Sequence, residues 1–268
     1  MKLIRILAIG FLAVVSLLSL GADFFGRYDA TAQFRDHPNE APSRNFPLGT
    51  DELGRDRFSR LLHGSRVSLV CAPGAALIAT AISAAIGIAG GYYGGWVDET
   101  ATAVTDLFLS LPWLFALLTL RALLPLNAPK WVSVGAVFLL LAGVGWAAGA
   151  RVVRAAVAGM RHSGPLLHAR AYGCGGWRLL CFHLLPDLRP VLAAQFWLMV
   201  PVCLLTEANL GILGLGISEP TPSWGNILAE LQNYQRIPET PWILIPVILL
   251  IMVVGSLHLV VSGSNTWE

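Results

Sequence analysis

The chain carries little charge for its length. Only 13% of its 268 residues are Asp, Glu, Lys or Arg, whereas 55% are hydrophobic. The mean hydropathy is +0.65, and a typical soluble domain has about 25% charged residues. The composition therefore excludes an ordinary soluble domain, and the net charge of +2 is too small to indicate nucleic acid binding.

Catalytic and metal-binding patterns are also missing. The sequence has no GxxxxGK[ST] phosphate loop, no HExxH helix, and no Ser/His or Asp/Asp arrangement within its apolar segments. The cysteines, which are too scattered for a disulfide framework, are Cys71, Cys174, Cys181 and Cys203. Two of them lie near His168 and His183, but the spacing fits no common closed metal site. We predict a protein without catalytic residues, cofactor or metal.

Long apolar runs fill most of the chain instead. Runs of about 20 residues can cross the hydrocarbon core as helices, and the short alternating segments of a β-barrel do not occur. We predict an all-α membrane protein with about six transmembrane helices, the third kinked by Pro112. The predicted spans are approximately residues 1–21, 67–93, 103–124, 131–150, 191–213 and 241–261. The predicted domains are an anchor helix at 1–21, a polar loop at 22–66, a core at 67–261 and a tail at 262–268.

The polar loop at 22–66 contains seven arginines and seven acidic residues and is rich in turn residues. This composition predicts an extracytoplasmic loop without a hydrophobic core of its own. Near its end, acids alternate with arginines in the segment PLGTDELGRDRFSRLLHGSRVSL. The charge pattern alone predicts a solvated helix start, with an i,i+4 pair between Asp56 and Arg60.

A second polar segment, residues 151–190, is basic and glycine-rich. Its arginines are Arg151, Arg154, Arg161, Arg170, Arg178 and Arg189, and its one acid is Asp187. Together with Lys2 and Arg5, this charge places the segment and the N-terminus in the cytoplasm.

The same segment predicts a helix–turn–helix. Ser163 is a candidate N-cap, and Gly173 closes the first helix in a left-handed conformation. A second helix begins at Trp177 and is ended or kinked by Pro186. The segment is longer than an ordinary connection, so we interpret it as a docking element for another protein.

Three polar residues fall in or near the fifth span. A carboxylate there is costly unless it is paired, protonated or in contact with water, so Glu207 is a candidate residue of a translocation path, with an interfacial position as an equal alternative. Gln195 and Asn209 are weaker candidates for the same path.

Four blocks of the sequence resemble one family, the permease subunits of ABC importers that take up dipeptides, oligopeptides and nickel. They are PLGTDELGRDRFSRLLHGSRVSL, GYYGGWVDE with Asp106 and Pro112, the loop at 151–190, and LGLGISEPTPSWGNILAE. The resemblance implies the type I importer permease fold, in which the loop is a coupling loop that sits in a groove of a cytoplasmic ATPase. It also implies a multi-pass protein of a prokaryotic inner membrane. The implied partners are a second permease in a heterodimer, two ATPases that bind the ATP, and an extracytoplasmic solute-binding protein.

The resemblance assigns the coupling function to particular loop residues. They are Leu167, His168, Ala169, Arg170, Ala171, Gly173, Arg178 and Pro186. The family's glutamate is replaced here by Leu167 and its next alanine by His168, so we expect a divergent contact with the ATPase. Peptides are the expected substrate. The alternatives are nickel or another small solute, an ion-coupled secondary carrier and, least favoured, a membrane enzyme.

Overall fold

The structure, a computed structural model, describes residues 2–123, 129–161, 163–233, 238 and 240–262. The described residues are mainly helical, and their only strand-type pairing is an isolated bridge between Thr50 and Asp56. In chain order the α-helices are α1 Lys2–Leu20, α2 Ala22–Phe25, α3 Arg57–Tyr93, α4 Gly95–Ser110, α5 Trp113–Ala122, α6 Lys130–Met160, α7 Gly164–Ala171, α8 Gly176–Leu179, α9 Leu185–Ile212, α10 Trp224–Leu228 and α11 Ile245–Ser262. A π-helical turn, Leu180–Leu184, joins α8 to α9, and 3₁₀ turns cover Ala229–Gln232 and Pro241–Leu244. The all-α prediction is confirmed.

Five helical segments are long and apolar enough to cross a membrane. They are Lys2–Leu20, Arg57–Tyr93, Lys130–Met160, Gly176–Ile212 and Pro241–Val261. The pair α4 and α5 makes a sixth crossing if it is one broken span. This agrees with the prediction of about six transmembrane helices, although several helices extend well beyond the hydrophobic runs that predicted them.

The break between α4 and α5 lies at Pro112, as the sequence predicts. The two helices meet at 83°, and Leu111 is extended, with φ −70° and ψ 133°. A proline disfavours helical backbone at the residue before it and donates no N–H of its own. A proline need not break a span, however, because α3 runs on through Pro73.

By contacts within the chain, the protein divides into two compact units. The first contains Met1–Pro73, Arg121–Phe138 and Pro201–Glu268, and the second contains Gly74–Leu120 and Leu139–Val200. The four domains predicted from the sequence are contiguous ranges and are not defined by contacts, so they stay a prediction. Of the predicted tail at 262–268, all but the first residue lies outside the described residues.

In the first unit, α1 packs against α11, and the loop after α2 has a small core. The rings of Tyr28, Phe34 and Phe46 are in mutual contact, with centroids 4.8–5.4 Å apart. Phe46 is buried. The prediction of a loop without a hydrophobic core is therefore wrong, because three aromatic side chains far apart in sequence are enough to bury one another. Gly54, at φ +73°, lets the chain pass so closely that a Cβ there would lie 2.1 Å from the carbonyl oxygen of Phe34.

In the second unit, α3 and α6 pack closely through small residues. A Cβ on Gly87 would lie 2.8 Å from the Cβ of Val153, and one on Gly91 would lie 2.8 Å from the Cβ of Val157. Glycines four residues apart allow two membrane helices to approach at backbone distance. The two valines are fully buried in the core that also holds the loop at 151–190.

Candidate functional site

The loop predicted to couple to an ATPase is a helix–turn–helix. Its first helix, α7, begins directly after Ser163, whose carbonyl oxygen accepts the N–H of Leu167 at 3.0 Å. Gly173 has φ +75°, and beyond it the N–H of Cys174 donates to the carbonyl oxygen of Ala169 at 3.0 Å. This bond spans five residues and closes the helix around a left-handed residue. The predicted helix closure at Gly173 is confirmed.

The second arm of the loop is continuous with a membrane-spanning helix. It comprises α8, the π-helical turn Leu180–Leu184 and α9. Together they form one segment, Gly176–Ile212, that is long and apolar enough to cross a membrane. Of the two predicted effects of Pro186, an end or a kink of the second helix, an end is wrong because α9 continues to Ile212. Pro186 has no N–H to donate, and its ring would clash with the carbonyl four residues earlier in an α-helix. Just before it, the N–H of Leu185 bonds to the carbonyl oxygen of Leu180, five residues back, and this wider turn lets the helix continue.

Four buried leucines pack the loop against the rest of the second unit. Leu166, Leu179, Leu184 and Leu188 have no exposed area and form one core with Ile88 and the two buried valines of α6. The helices of the loop are too short to be stable alone in water, so this packing supplies their stability. The loop is consequently a rigid platform rather than a flexible connection.

Four large apolar side chains of this platform are exposed. The exposed fractions are 48% for Leu167, 90% for Tyr172, 78% for Trp177 and 73% for Phe182. Exposed aromatic residues of this size are typical of protein–protein contact sites. We name these four residues the outer loop surface.

The predicted coupling residues are distributed around that surface. His168, Ala171, Gly173 and Arg178 are exposed, like Leu167. Ala169 and Pro186 are half-buried, and Ala169 packs against the leucine core. The side chain of Arg170 lies outside the described residues. The coupling role of all eight positions stays a prediction.

Two arginines of the basic segment are already paired within the chain. Arg154 forms an ion pair with Asp98, through Nη2 to Oδ2 at 2.7 Å and a second bond from Nε. Arg151 donates to Asp106 at 2.6 Å. These pairs join α6 to α4, so the two arginines hold helices together and leave less of the segment's charge for a partner.

Before α3, a network of charges replaces the solvated helix start predicted from the sequence. Asp56 is fully buried and caps the helix, accepting the N–H of Ser59 at 3.0 Å and its hydroxyl at 2.6 Å. Arg60 is also buried and donates to Glu219 at 3.0 Å. The predicted pair between Asp56 and Arg60 is therefore wrong, because Asp56 bonds to Ser59 as the helix cap and Arg60 bonds to Glu219.

Arg55 completes this network. It donates to Asp51 at 2.6 Å through Nε and to Glu219 at 2.8 Å through Nη1. Burial by itself lowers the pKa of Arg55, but the two carboxylates outweigh burial and raise it. Glu219 therefore links two arginines at the start of α3 to the segment that follows α9. The alternating charges near the helix start were the only sequence signal, and they could not identify a partner so far along the chain.

Glu207 is fully buried within the first unit. Its carboxylate accepts the hydroxyl of Ser68 at 3.2 Å and the N–H of Gly225 at 3.2–3.3 Å. The hydroxyl of Ser68 in turn accepts the N–H of Trp224, at 3.2 Å. Within this chain, therefore, Glu207 connects α9 to α3 and to the start of α10. Both alternatives for Glu207, an interfacial position and a role in a translocation path, stay predictions.

The other two candidate path residues differ from Glu207 in exposure. Gln195 is half-buried and Asn209 is exposed, and their role stays a prediction.

Sequence reasoning missed Arg121, a buried residue at the end of α5 that donates to the carbonyl oxygens of Leu215 and Gly216 at 3.0–3.1 Å. Among the described residues, no three His, Cys, Asp or Glu side chains are placed to hold a metal ion.

Comparison with known proteins gives a consistent result. The model of the family described as "Binding-protein-dependent transport system inner membrane component" matches residues 81–267. The glutathione transport system permease protein GsiD of Pectobacterium atrosepticum is 30% identical over 224 residues, 83% of this chain and 72% of that protein. The di/tripeptide transport system permease protein DppC of Pseudomonas aeruginosa is 31% identical over 260 residues, 94% of this chain and 83% of that protein.

A shorter match is to the dipeptide transport system permease protein DppC of Bacillus subtilis. It is 33% identical over 202 residues, which are 75% of this chain and 61% of that protein. The chain thus spans between about three fifths and four fifths of the length of these three relatives.

Proposed function

Because the chain belongs to the family of inner membrane components of binding-protein-dependent transport systems, we propose that it is the permease subunit of an ATP-driven importer of peptides. The observation that carries the proposal is the outer loop surface. Exposed apolar side chains stand on a platform fixed by buried leucines, and the platform is continuous with a membrane-spanning helix. Such a platform can transmit a partner's movement into the membrane, since a packed helix moves as a unit.

The partner at this surface is a cytoplasmic ATPase. Trp177 and Phe182 would fill a groove on it, as large aromatic anchors do at other interfaces. ATP binds to two such ATPases and not to this chain, and no catalytic step belongs to the permease. The remaining partners are a second permease, which shares the translocation path, and an extracytoplasmic solute-binding protein.

The orientation follows from the order of crossings. With six spans and Lys2 and Arg5 in the cytoplasm, the loop at 151–190 is cytoplasmic, and the charge network before α3 is extracytoplasmic. The outer loop surface then faces the compartment that contains ATP.

Peptides are the substrate class that the relatives' names support, since those names refer to glutathione, di- and tripeptides and dipeptides. Nickel or another small solute is the second candidate within the same transport class. An ion-coupled carrier is disfavoured, because Glu207, the acid it would depend on, already accepts three hydrogen bonds inside the chain.

The test is peptide uptake by the complete complex in proteoliposomes, with ATPase copurification as the second readout. We expect Trp177→Ala combined with Phe182→Ala to reduce ATPase retention and ATP-driven uptake at least tenfold. Both side chains are more than 70% exposed, so folded yield should not change. Trp131→Ala, in the first turn of α6, is the matched control because Trp131 is 75% exposed. Uptake that persists without ATP, or wild-type coupling in the double variant, would contradict the proposal.

A further inference from the structure

A small cavity lies in the first unit, beside the first turn of α3. It has a volume of about 10 Å³ and is bounded by Arg57, Arg60, Glu230, Trp242 and Ile243, with further apolar side chains completing the wall. A space of this size holds one water-sized occupant. The two arginines are three residues apart on α3, so their side chains leave the same face of the helix.

Both arginines carry hydrogen-bond donors that no described residue accepts. Arg57 forms an ion pair with Glu230 through Nη2, at 2.8 Å from Oε2, and Arg60 donates from Nη2 to Glu219 at 3.0 Å. The Nε and Nη1 atoms of both residues are buried, and none has a hydrogen-bond acceptor among the described residues. The side chain of Arg60 is only 2% exposed. Buried guanidinium donors are normally satisfied, so these four nitrogen atoms indicate an occupant that accepts hydrogen bonds.

The wall of the cavity favours an anion over a water molecule. A water molecule accepts about two hydrogen bonds and must also donate its own hydrogens. Among the described residues that line the cavity, Glu230 is the only carboxylate, and its Oε2 already pairs with Arg57. A monatomic anion accepts from several donors at once and needs no acceptor. The surplus of donors over acceptors therefore suits an anion.

The charges around the cavity can accommodate an anion if one of the carboxylates takes up a proton. Three arginines, Arg55, Arg57 and Arg60, face three carboxylates, Asp51, Glu219 and Glu230. The fourth carboxylate, Asp56, caps α3. Burial raises the pKa of Glu230 despite its pairing with Arg57. An anion can therefore enter together with a proton on Glu230, and the balance of charge is kept.

We propose that this cavity is a binding site for a monovalent anion of chloride size, held by the unused guanidinium donors of Arg57 and Arg60. The anion joins the first turn of α3 to the segment between α10 and α11. This site is independent of the proposed transport function, because it depends only on contacts within the first unit.

The first experiment measures thermal unfolding of the detergent-solubilised full chain while chloride replaces gluconate at constant ionic strength. We expect the unfolding temperature to rise saturably with chloride, and to rise likewise with bromide. An unfolding temperature that is the same in chloride and gluconate would overturn the proposal and leave water as the occupant.

Two variants locate the effect. Glu230→Gln removes the competing carboxylate, so we expect half-saturation at a chloride concentration at least threefold lower. Arg57→Gln combined with Glu230→Gln removes one arginine without leaving an unpaired acid, and it should need at least tenfold more chloride than Glu230→Gln alone. The matched control is Asp23→Asn with Arg66→Gln, which removes an ion pair between α2 and α3. Its chloride response should equal that of the wild type, and equal responses from all four proteins would refute the assignment.

A structural measurement keeps the proposal testable if the double variant does not fold. Crystals of the wild-type protein grown in bromide should show an anomalous peak within hydrogen-bonding distance of both Arg57 and Arg60. Full-occupancy density for water there, without an anomalous peak, would exclude the anion.

Discussion

Several charged side chains of this protein lie in its interior, and each has partners inside the chain. Glu207, Arg60 and Arg121 are almost fully buried, and all three hydrogen-bond to groups on other elements. A buried charge without such partners costs several kcal/mol. Each of these residues therefore fixes the position of the segment it contacts, and removing it should affect folding before it affects transport.

Glu207 provides a direct test at the residue scale. We expect Glu207→Ala to destabilise the protein by about 2–4 kcal/mol, because Gly225 loses its acceptor and a cavity remains. Glu207→Gln keeps an acceptor for that N–H and should cost about 1 kcal/mol. Thermal unfolding in detergent measures both. If Glu207→Ala has wild-type stability but fails in transport, the residue acts in the path and the structural role is wrong.

The ionisation of Glu230 predicts a pH dependence. Burial raises the pKa of this carboxyl above its ordinary value of 4.5, so the folded state favours the protonated form. The favourable contribution of Glu230 to the free energy of unfolding is therefore complete below about pH 4.5. It is lost as the pH rises through the raised pKa of the folded state.

The Gln variant isolates this contribution. In gluconate buffer, the unfolding temperature of the wild type minus that of Glu230→Gln should fall across this pH window and then level off. A difference that rises with pH would show that pairing with Arg57 outweighs burial.

At the element scale, the sequence predicted the helices well and their ends poorly. Hydropathy and proline position are local properties, so the spans and the break at Pro112 could be predicted. The extension of α3 back to Arg57 depends on the cap supplied by Asp56, and the charge network depends on Glu219, 159 residues from Arg60. Pairings across such distances leave no periodic signal in a single sequence. The loop at 151–190 could be located from its charge and glycines, but its exposed aromatic residues and the leucines buried beneath it could not.

The contact between α9 and α10 predicts an intolerant glycine. A Cβ on Gly211 would lie 2.2 Å from the backbone of Gly225, whereas one on Gly255 in α11 would meet nothing within 4 Å. We expect Gly211→Ala to displace α10 and destabilise the protein by about 1–3 kcal/mol, with Gly255→Ala close to neutral. Thermal unfolding of the two variants in detergent checks this. Equal unfolding temperatures would mean that α10 does not pack against α9 in the membrane.

On the scale of the whole molecule, the protein has a charge network before α3 and an apolar outer loop surface after α6. The proposed topology places the charge network outside the cytoplasm and the outer loop surface inside it. The approximate number of spans could be predicted from the sequence because hydropathy is a local property, whereas their sidedness stays a prediction. The substrate class is proposed from the names of relatives.

This sidedness can be tested in intact cells. In a variant without its native cysteines, Leu53→Cys should react with a membrane-impermeant maleimide added outside, and Tyr172→Cys only after the membrane is permeabilised. Leu53 is 50% exposed and Tyr172 90% exposed, so access to the side chain does not limit either reaction. Labelling of Tyr172→Cys from outside would show that the proposed topology is inverted. The outer loop surface could then not contact a cytoplasmic ATPase.

The π-helical turn Leu180–Leu184 has a geometric consequence for the helix it interrupts. Bonding five residues back rather than four accommodates one additional residue, and one residue of an α-helix corresponds to a rotation of about 100°. The faces of α9 are therefore rotated by that amount from where the turns of α8 would place them. Deleting one residue within the turn would let a regular α-helix form with the downstream phase retained, whereas α-helical bonding of the unchanged sequence would rotate every downstream side chain by about 100°. The position of Glu207 opposite Ser68 thus depends on a turn more than 20 residues earlier in the same helix.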